Sequence, residues 1–202
     1  MTKVKFCGLT SMQDIESANR LKPDYIGFVY AAKSRRRVSV EQSAELKSRL
    51  SHDILSVGVF LDDEIDKVVS IAEHGIIDVI QLHGNEDEKY ISTVRRLTKK
   101  PIIRAFVINT EDDAKKAENS SADYILLDGG KGNGTVFDWN LLHDIKRPYF
   151  LAGGLNSVNV ADAVRILQPF AVDVSSGIET DGKKDYYKMD EFINIVRKEE
   201  VK

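Results

Sequence analysis

Short runs of β-branched, aliphatic and aromatic residues recur along the chain, each followed by a polar stretch and then by apolar residues at helical spacing. The runs predict strands over 4–7, 25–29, 55–60, 79–82, 102–106, 124–128, 149–152 and 171–175. Their near-continuous apolarity suits parallel strands covered on both faces, rather than hairpins with one wet face. Between them, Ile65, Val68, Val69 and Ala72 fall on one face of a helix, as do Val160, Ala163, Val164 and Leu167, and Met189, Phe192, Ile193 and Val196. Ser39 with Gln42 predicts a capping box, and Asn85, Thr110 and Asn156 are predicted caps of the helices after them. The sixth helical segment, around 139–144, is the weakest, being brief and ending near Pro148.

Eight strand–helix units in 202 residues predict an α/β fold, a single-domain (β/α)8 TIM barrel over 1–202, at the short end of a range that starts near about 200 residues. The competing doubly wound sheet usually has fewer strands and a glycine-rich turn after the first, whereas Cys7-Gly8-Leu9-Thr10 carries one glycine. In a barrel the chemistry gathers at the C-terminal strand ends. Those ends carry Cys7, the run Lys33-Ser34-Arg35-Arg36-Arg37, Gln81-Leu82-His83-Gly84, Asp128, Gly153-Gly154 and Asp173-Val174-Ser175-Ser176-Gly177.

Glycines and serines after strands seven and eight are where such barrels commonly build a phosphate site from backbone N–H groups. Either pair alone is compatible with simple turns, and both at matching strand ends favour phosphate. A lone buried cysteine is more often a small apolar packing residue, but Cys7 stands at a strand mouth beside a predicted helix start, which can draw its pKa down and make it a base or nucleophile. Asp128 ends an apolar strand, where a carboxylate must be paired, solvated or used. At most one of Arg35, Arg36 and Arg37 is expected to face the mouth, suited to a carboxylate. His83 reads as an acid, a base or a hydrogen-bonded strand-end residue. The run Gly129-Gly130-Lys131-Gly132-Asn133-Gly134-Thr135 lacks P-loop spacing and is expected to be a mobile loop over the mouth.

Composition narrows the partners. With 29 basic and 32 acidic residues interspersed and a net charge of −3, no basic face advertises nucleic acid or an anionic membrane. No apolar run approaches the roughly 20 residues of a membrane span. The one cysteine and the polar start Met1-Thr2-Lys3-Val4-Lys5 are expected for a cytoplasmic protein. His52, His74, His83 and His143 lack metal-ligand spacing, so no metal site is expected.

Taken together, Lys5-Phe6-Cys7-Gly8-Leu9-Thr10, Gly27-Phe28 with Ser34-Arg35-Arg36-Arg37-Val38-Ser39, Gly58-Val59-Phe60, Gln81-Leu82-His83-Gly84, Leu126-Leu127-Asp128, Phe137-Asp138-Trp139, Ala152-Gly153-Gly154-Leu155 and Val172-Asp173-Val174-Ser175-Ser176-Gly177-Ile178-Glu179 stand in an order that resembles the phosphoribosylanthranilate isomerase family. The resemblance covers essentially the whole chain. It implies a cofactor-independent Amadori rearrangement of a small phosphoribosyl substrate in tryptophan biosynthesis. By the family pattern Asp128 is the acid and Cys7 the base, Arg36 holds the anthranilate carboxylate, and Asp173 holds a sugar hydroxyl. Gly153, Gly154, Ser175, Ser176 and Gly177 form the phosphate cradle and His83 gives support. A monomer is the default and a dimer is compatible. The histidine-pathway isomerase resembles a pattern with aspartates ending strands one and five, where this chain has Cys7 and Ala105-Phe106. Indole-glycerol-phosphate synthase calls for a strand-end lysine, a role that Lys5, inside its strand, does not fit. A non-catalytic phosphosugar-binding barrel is the alternative from outside enzymology.

Overall fold

The computed structural model describes residues 1–129 and 138–199. Eight parallel strands, β1 Lys3–Cys7, β2 Tyr25–Val29, β3 Leu55–Phe60, β4 Val79–Leu82, β5 Ile102–Val107, β6 Tyr124–Asp128, β7 Tyr149–Leu151 and β8 Ala171–Val174, close in sequence order, with β8 pairing back onto β1. The helices are α1 Met12–Leu21, α2 Val40–Arg49, α3 Ile65–Glu73, α4 Glu88–Leu97, α5 Glu111–Glu118, α6 Val160–Leu167 and α7 Tyr186–Glu199. After β6 the described residues hold only a 3-10 turn, Trp139–Leu142, capped by Asp138, in place of the expected sixth helix. The few residues before Pro148 leave room to bury Leu142 but not for a full amphipathic helix. After β8 a short turn and a two-stranded hairpin, β9 Glu179–Thr180 and β10 Lys183–Lys184, precede α7.

Alternation along each strand explains the layering. One set of side chains, including Phe6, Phe28, Phe60, Ile80, Leu127 and Leu151, packs outward with Val68, Ala72, Val160, Met189 and Phe192 of the helices. The alternate set, Tyr25, Val57, Val79, Ile103, Leu126, Phe150 and Ala171, fills the lumen. Phe150 meets Tyr25 edge-on at 5.4 Å and Phe170 at 5.5 Å, plugging the lower lumen. Residues two further along each strand therefore sit above this plug and face the mouth.

The caps are partly as the sequence predicts. Thr110 and Asp113 form a reciprocal capping box on α5. Ser39 accepts from the Gln42 amide, but the Gln42 side chain donates to the Thr10 carbonyl instead of closing a box. The cap of α4 is Asp87 rather than Asn85, which bonds to Asp62 across the β3 loop. Asn156 opens the turn before α6, accepting from Val158 N, while Asn159 holds the cap position. Among the described residues no helix is long and apolar enough to cross a membrane.

Candidate active site

The mouth-facing positions are polar on several strands and converge on one cavity of about 310 Å³. Cys7 from β1, Arg36 from the loop after β2, Gln81 and His83 from β4, Asp128 from β6, Gly153 and Gly154 after β7, and Asp173, Ser175 and Ser176 at β8 all line it. A larger hollow of about 950 Å³ lies at the opposite end, bounded by Met1, Thr2, Pro148, Tyr149 and Phe170. That is the N-terminal face, where barrels carry stability rather than chemistry.

On one side of the cavity stands Asp128. His83 places Nε2 3.4 Å from Asp128 Oδ2, and Gln81 Nε2 lies 3.1 Å from His83 Nδ1. With the Gln81 amide as donor, Nδ1 accepts and the ring proton rests on Nε2, facing the carboxylate. Gly153 and Gly154 both hold positive φ, 89° and 72°, a sequence of conformations that glycine adopts without strain. A Cβ on Gly153 would come 2.9 Å from Asp128 Oδ1, so the β7 turn packs directly against the acid.

On the other side, Cys7 is 9 % exposed and shares its environment with Lys5. Lys5 is fully buried and donates from Nζ to Asp173 Oδ1 at 2.9 Å. The Cys7 thiol's pKa is raised, not lowered as the sequence suggests: burial pushes it up, Lys5 and Lys184 pull it down, and Asp173 pushes it up. The nearby helix start has its own cap. The Asp14 carboxylate accepts from the Thr10 and Ser11 amides, and the Ser11 hydroxyl accepts from Asp14 N.

Opposite Cys7, β2 carries Gly27, where a Cβ would stand 2.8 Å from Cys7 Sγ and 3.2 Å from Cys7 Cα. Gly27→Ala is expected to displace the thiol and cost about 1–3 kcal/mol through overpacking. A thermal melt should show a lower Tm, and steady-state kinetics should show a fall of about 10²-fold, the scale for a misplaced reacting group. A Gly27→Ala protein with unchanged Tm and turnover would mean that this contact does not set the thiol's position.

Of the three arginines, Arg35 and Arg37 are exposed and Arg36 alone lines the cavity. Its guanidinium is held by Glu179 through Nε–Oε1 at 2.6 Å and Nη2–Oε2 at 2.9 Å. Arg35 and Lys184 also bind Glu179. Burial works against that carboxylate's charge, but the bonds from Arg36 and Lys184 hold its pKa at about 2. Lys184 also donates to the Ser175 carbonyl, and the Ser175 hydroxyl donates to the Cys7 carbonyl at 3.0 Å. Ser175 thus ties the end of β8 to the end of β1. Asp173 reaches the cavity with one oxygen already taken by Lys5. Gly177 does not line the cavity: a Cβ there would overlap the Leu155 carbonyl, so its place in the cradle is to let the β8 turn pack on the β7 loop. The expected loop over the mouth lies, from Gly130 onward, outside the described residues.

A family model described as N-(5'phosphoribosyl)anthranilate (PRA) isomerase matches residues 4–195. The chain belongs to this family. The N-(5'-phosphoribosyl)anthranilate isomerase of Endomicrobium trichonymphae is 43% identical over 202 residues, covering 98% of this chain and 99% of that protein. Its counterpart in Caldanaerobacter subterraneus is 43% identical over 204 residues, covering 98% of each chain. Among solved structures, the isomerase from Thermotoga maritima superposes with a TM-score of 0.89 at 35% identity, covering 98% of this chain and 100% of that one. A phosphoribosyl anthranilate isomerase in complex with reduced 1-(o-carboxyphenylamino)-1-deoxyribulose 5-phosphate superposes with a TM-score of 0.88 at 34% identity, with the same coverage.

In this PRA isomerase family member, Lys5, Glu179 and Lys184 escape a reading of strand ends alone, and Gln81, read there only as part of its strand end, proves to be the partner of His83. Lys5 and Gln81 lie inside strands, and their signal is a polar residue two places before a candidate group on the same face. Glu179 and Lys184 meet Arg36 and Ser175 only through the hairpin after β8, and no sequence spacing announces that.

Proposed function

We propose that this chain isomerises N-(5'-phosphoribosyl)anthranilate to 1-(o-carboxyphenylamino)-1-deoxyribulose 5-phosphate with Asp128 as general acid and Cys7 as general base. The observation that carries this reading is that the carboxyl and the thiol line the same cavity from β6 and β1, together with Arg36 and the turns after β7 and β8. Asp128 gives a proton to the ribose ring oxygen, and the C1–O bond breaks to leave a Schiff base. The Cys7 thiolate then takes the C2 proton, and the electron pair moves to form the C1–C2 double bond of an enolamine. Ketonisation moves the enol proton off oxygen and adds a proton at C1. Only protons and bonding electrons move, so the chemistry needs no redox or carbon-sink cofactor.

Arg36, fixed by Glu179, presents its guanidinium for the anthranilate carboxylate. His83 faces Asp128 and steadies the acid. Gly153, Gly154, Ser175 and Ser176 bound the part of the cavity where a phosphate meets backbone N–H groups, and Gly177 lets that turn pack closely. The free oxygen of Asp173 is left for a sugar hydroxyl. Acid, base and cradle come from one chain in one barrel, so each barrel carries a whole site, and the single thiol supports a cytoplasmic setting. The histidine-pathway rearrangement is disfavoured by the alternation of β5, which turns Ala105 rather than a carboxylate into the lumen.

The test is the loss of anthranilate fluorescence when purified protein is added to freshly made phosphoribosylanthranilate. Rapid loss supports the assignment. Folded protein that binds a product analogue without turnover would point to the non-catalytic barrel instead.

A further inference from the structure

We propose that Lys5 is a positioning residue of this site, a buried ammonium whose charge stabilises the negative charge that Cys7 must carry to act. The proposal rests on the reading of Cys7 as base. Lys5 is 0 % exposed, and lysine is almost never fully buried unless paired. Its partner is Asp173, at 2.9 Å. Stability alone does not account for such a pair, because well-packed apolar residues of similar volume often replace a buried ion pair at no loss. Its position suggests another use. Lys5 lies two residues before Cys7 on the same face of β1, about 7 Å below it along the strand, and its ammonium stands in direct electrostatic contact with the thiol. It is not among the residues lining the cavity, so it acts through Cys7 rather than on substrate.

The other charges facing Cys7 are Asp173 from β8, Lys184 from β10 and Arg36 from the loop after β2. Lys184 and Arg36 both bind Glu179. Arg36 is also the group offered to the substrate's carboxylate. Lys5 is sealed beneath the cavity floor, with its ammonium bonded to Asp173. Lys5 lowers the thiol's pKa and Asp173 opposes it. Asp173 in turn keeps Lys5 protonated, its carboxylate raising the lysine's pKa against the effect of burial.

Because the chain holds one cysteine, the rate of iodoacetamide alkylation against pH reads Cys7 alone and needs no turnover. Lys5→Met is expected to move the alkylation midpoint upward by about one pH unit or more, so that roughly tenfold less thiolate is present at neutral pH. Asp173→Asn, which removes the opposing carboxylate, should move it downward. Lys5→Met leaves Asp173 buried without its partner and can unfold the barrel. The double variant Lys5→Met/Asp173→Asn keeps an uncharged pair and should still show a raised midpoint, since the ammonium on the thiol's own strand face is gone while Asp173 stands in register with Lys5 rather than with Cys7. A midpoint equal to wild type in whichever Lys5 variant folds overturns the proposal. Full turnover by Cys7→Ala overturns the underlying reading instead, so the two failures are told apart.

Discussion

Cys7→Ala should lower kcat/KM by about 10²–10⁴-fold, the usual contribution of a general base, while a product analogue binds nearly as before. Alanine removes the proton acceptor but leaves the backbone that Ser175 holds through the Cys7 carbonyl. It also adds no atom to the side that faces Gly27, since alanine keeps only the Cβ that cysteine already has. Loss of turnover therefore cannot be charged to a disordered mouth, and a thermal melt close to wild type should accompany it. The pH profile gives an independent check. Cys7 acts deprotonated, and burial places its pKa above the ordinary thiol range despite Lys5 and Lys184. The rate must then climb with pH through neutrality, following the growing thiolate fraction, and level off only on the alkaline side of about 8.5, the ordinary thiol value. A rate that is flat from pH 6 upward, on a scale of about one pH unit per tenfold change, would mean that another group removes the C2 proton.

Asp128→Asn should cause a comparable loss of about 10²–10⁴-fold in kcat, with a smaller change in KM. The amide matches the carboxyl in shape, so His83 and the Gly153 turn keep their neighbour. What disappears is a proton that can be handed to the ring oxygen. Single-turnover mixing with phosphoribosylanthranilate separates this from product release: a slowed first turnover locates the defect in chemistry. Wild-type turnover by Asp128→Asn would remove this residue from the acid role and direct attention to His83.

The chain's local pattern was sufficient to predict a closed barrel. Parallel strands buried on both faces must be continuously apolar, and their helices must carry one apolar stripe, so periodicity alone reports both. Strand-end position also brought Cys7, Arg36, His83, Asp128 and Ser175 into consideration, since each closes or follows an apolar run. Local signals were less reliable where several residues compete for one role. Asn85 and Asp87 are both plausible caps, and only the contact of Asn85 with Asp62 decides between them. The segment after β6 reads as a weak helix, and its described residues hold one 3-10 turn that buries Leu142.

Tertiary structure alone decided the electrostatics of the site. Lys5 and Asp173 stand 168 residues apart and meet because the barrel closes β8 onto β1 in a register that pairs them. Arg36 and Glu179 are 143 residues apart and meet where the loop after β2 reaches the hairpin after β8. The proton affinity of Cys7 reverses from the expected direction for the same reason, since desolvation and through-space charge depend on what surrounds the sulfur rather than on its neighbours in the chain. Strand periodicity is a local property carried by the order of residues. Burial and the meeting of charges belong to the closed barrel, and come into being only when it folds.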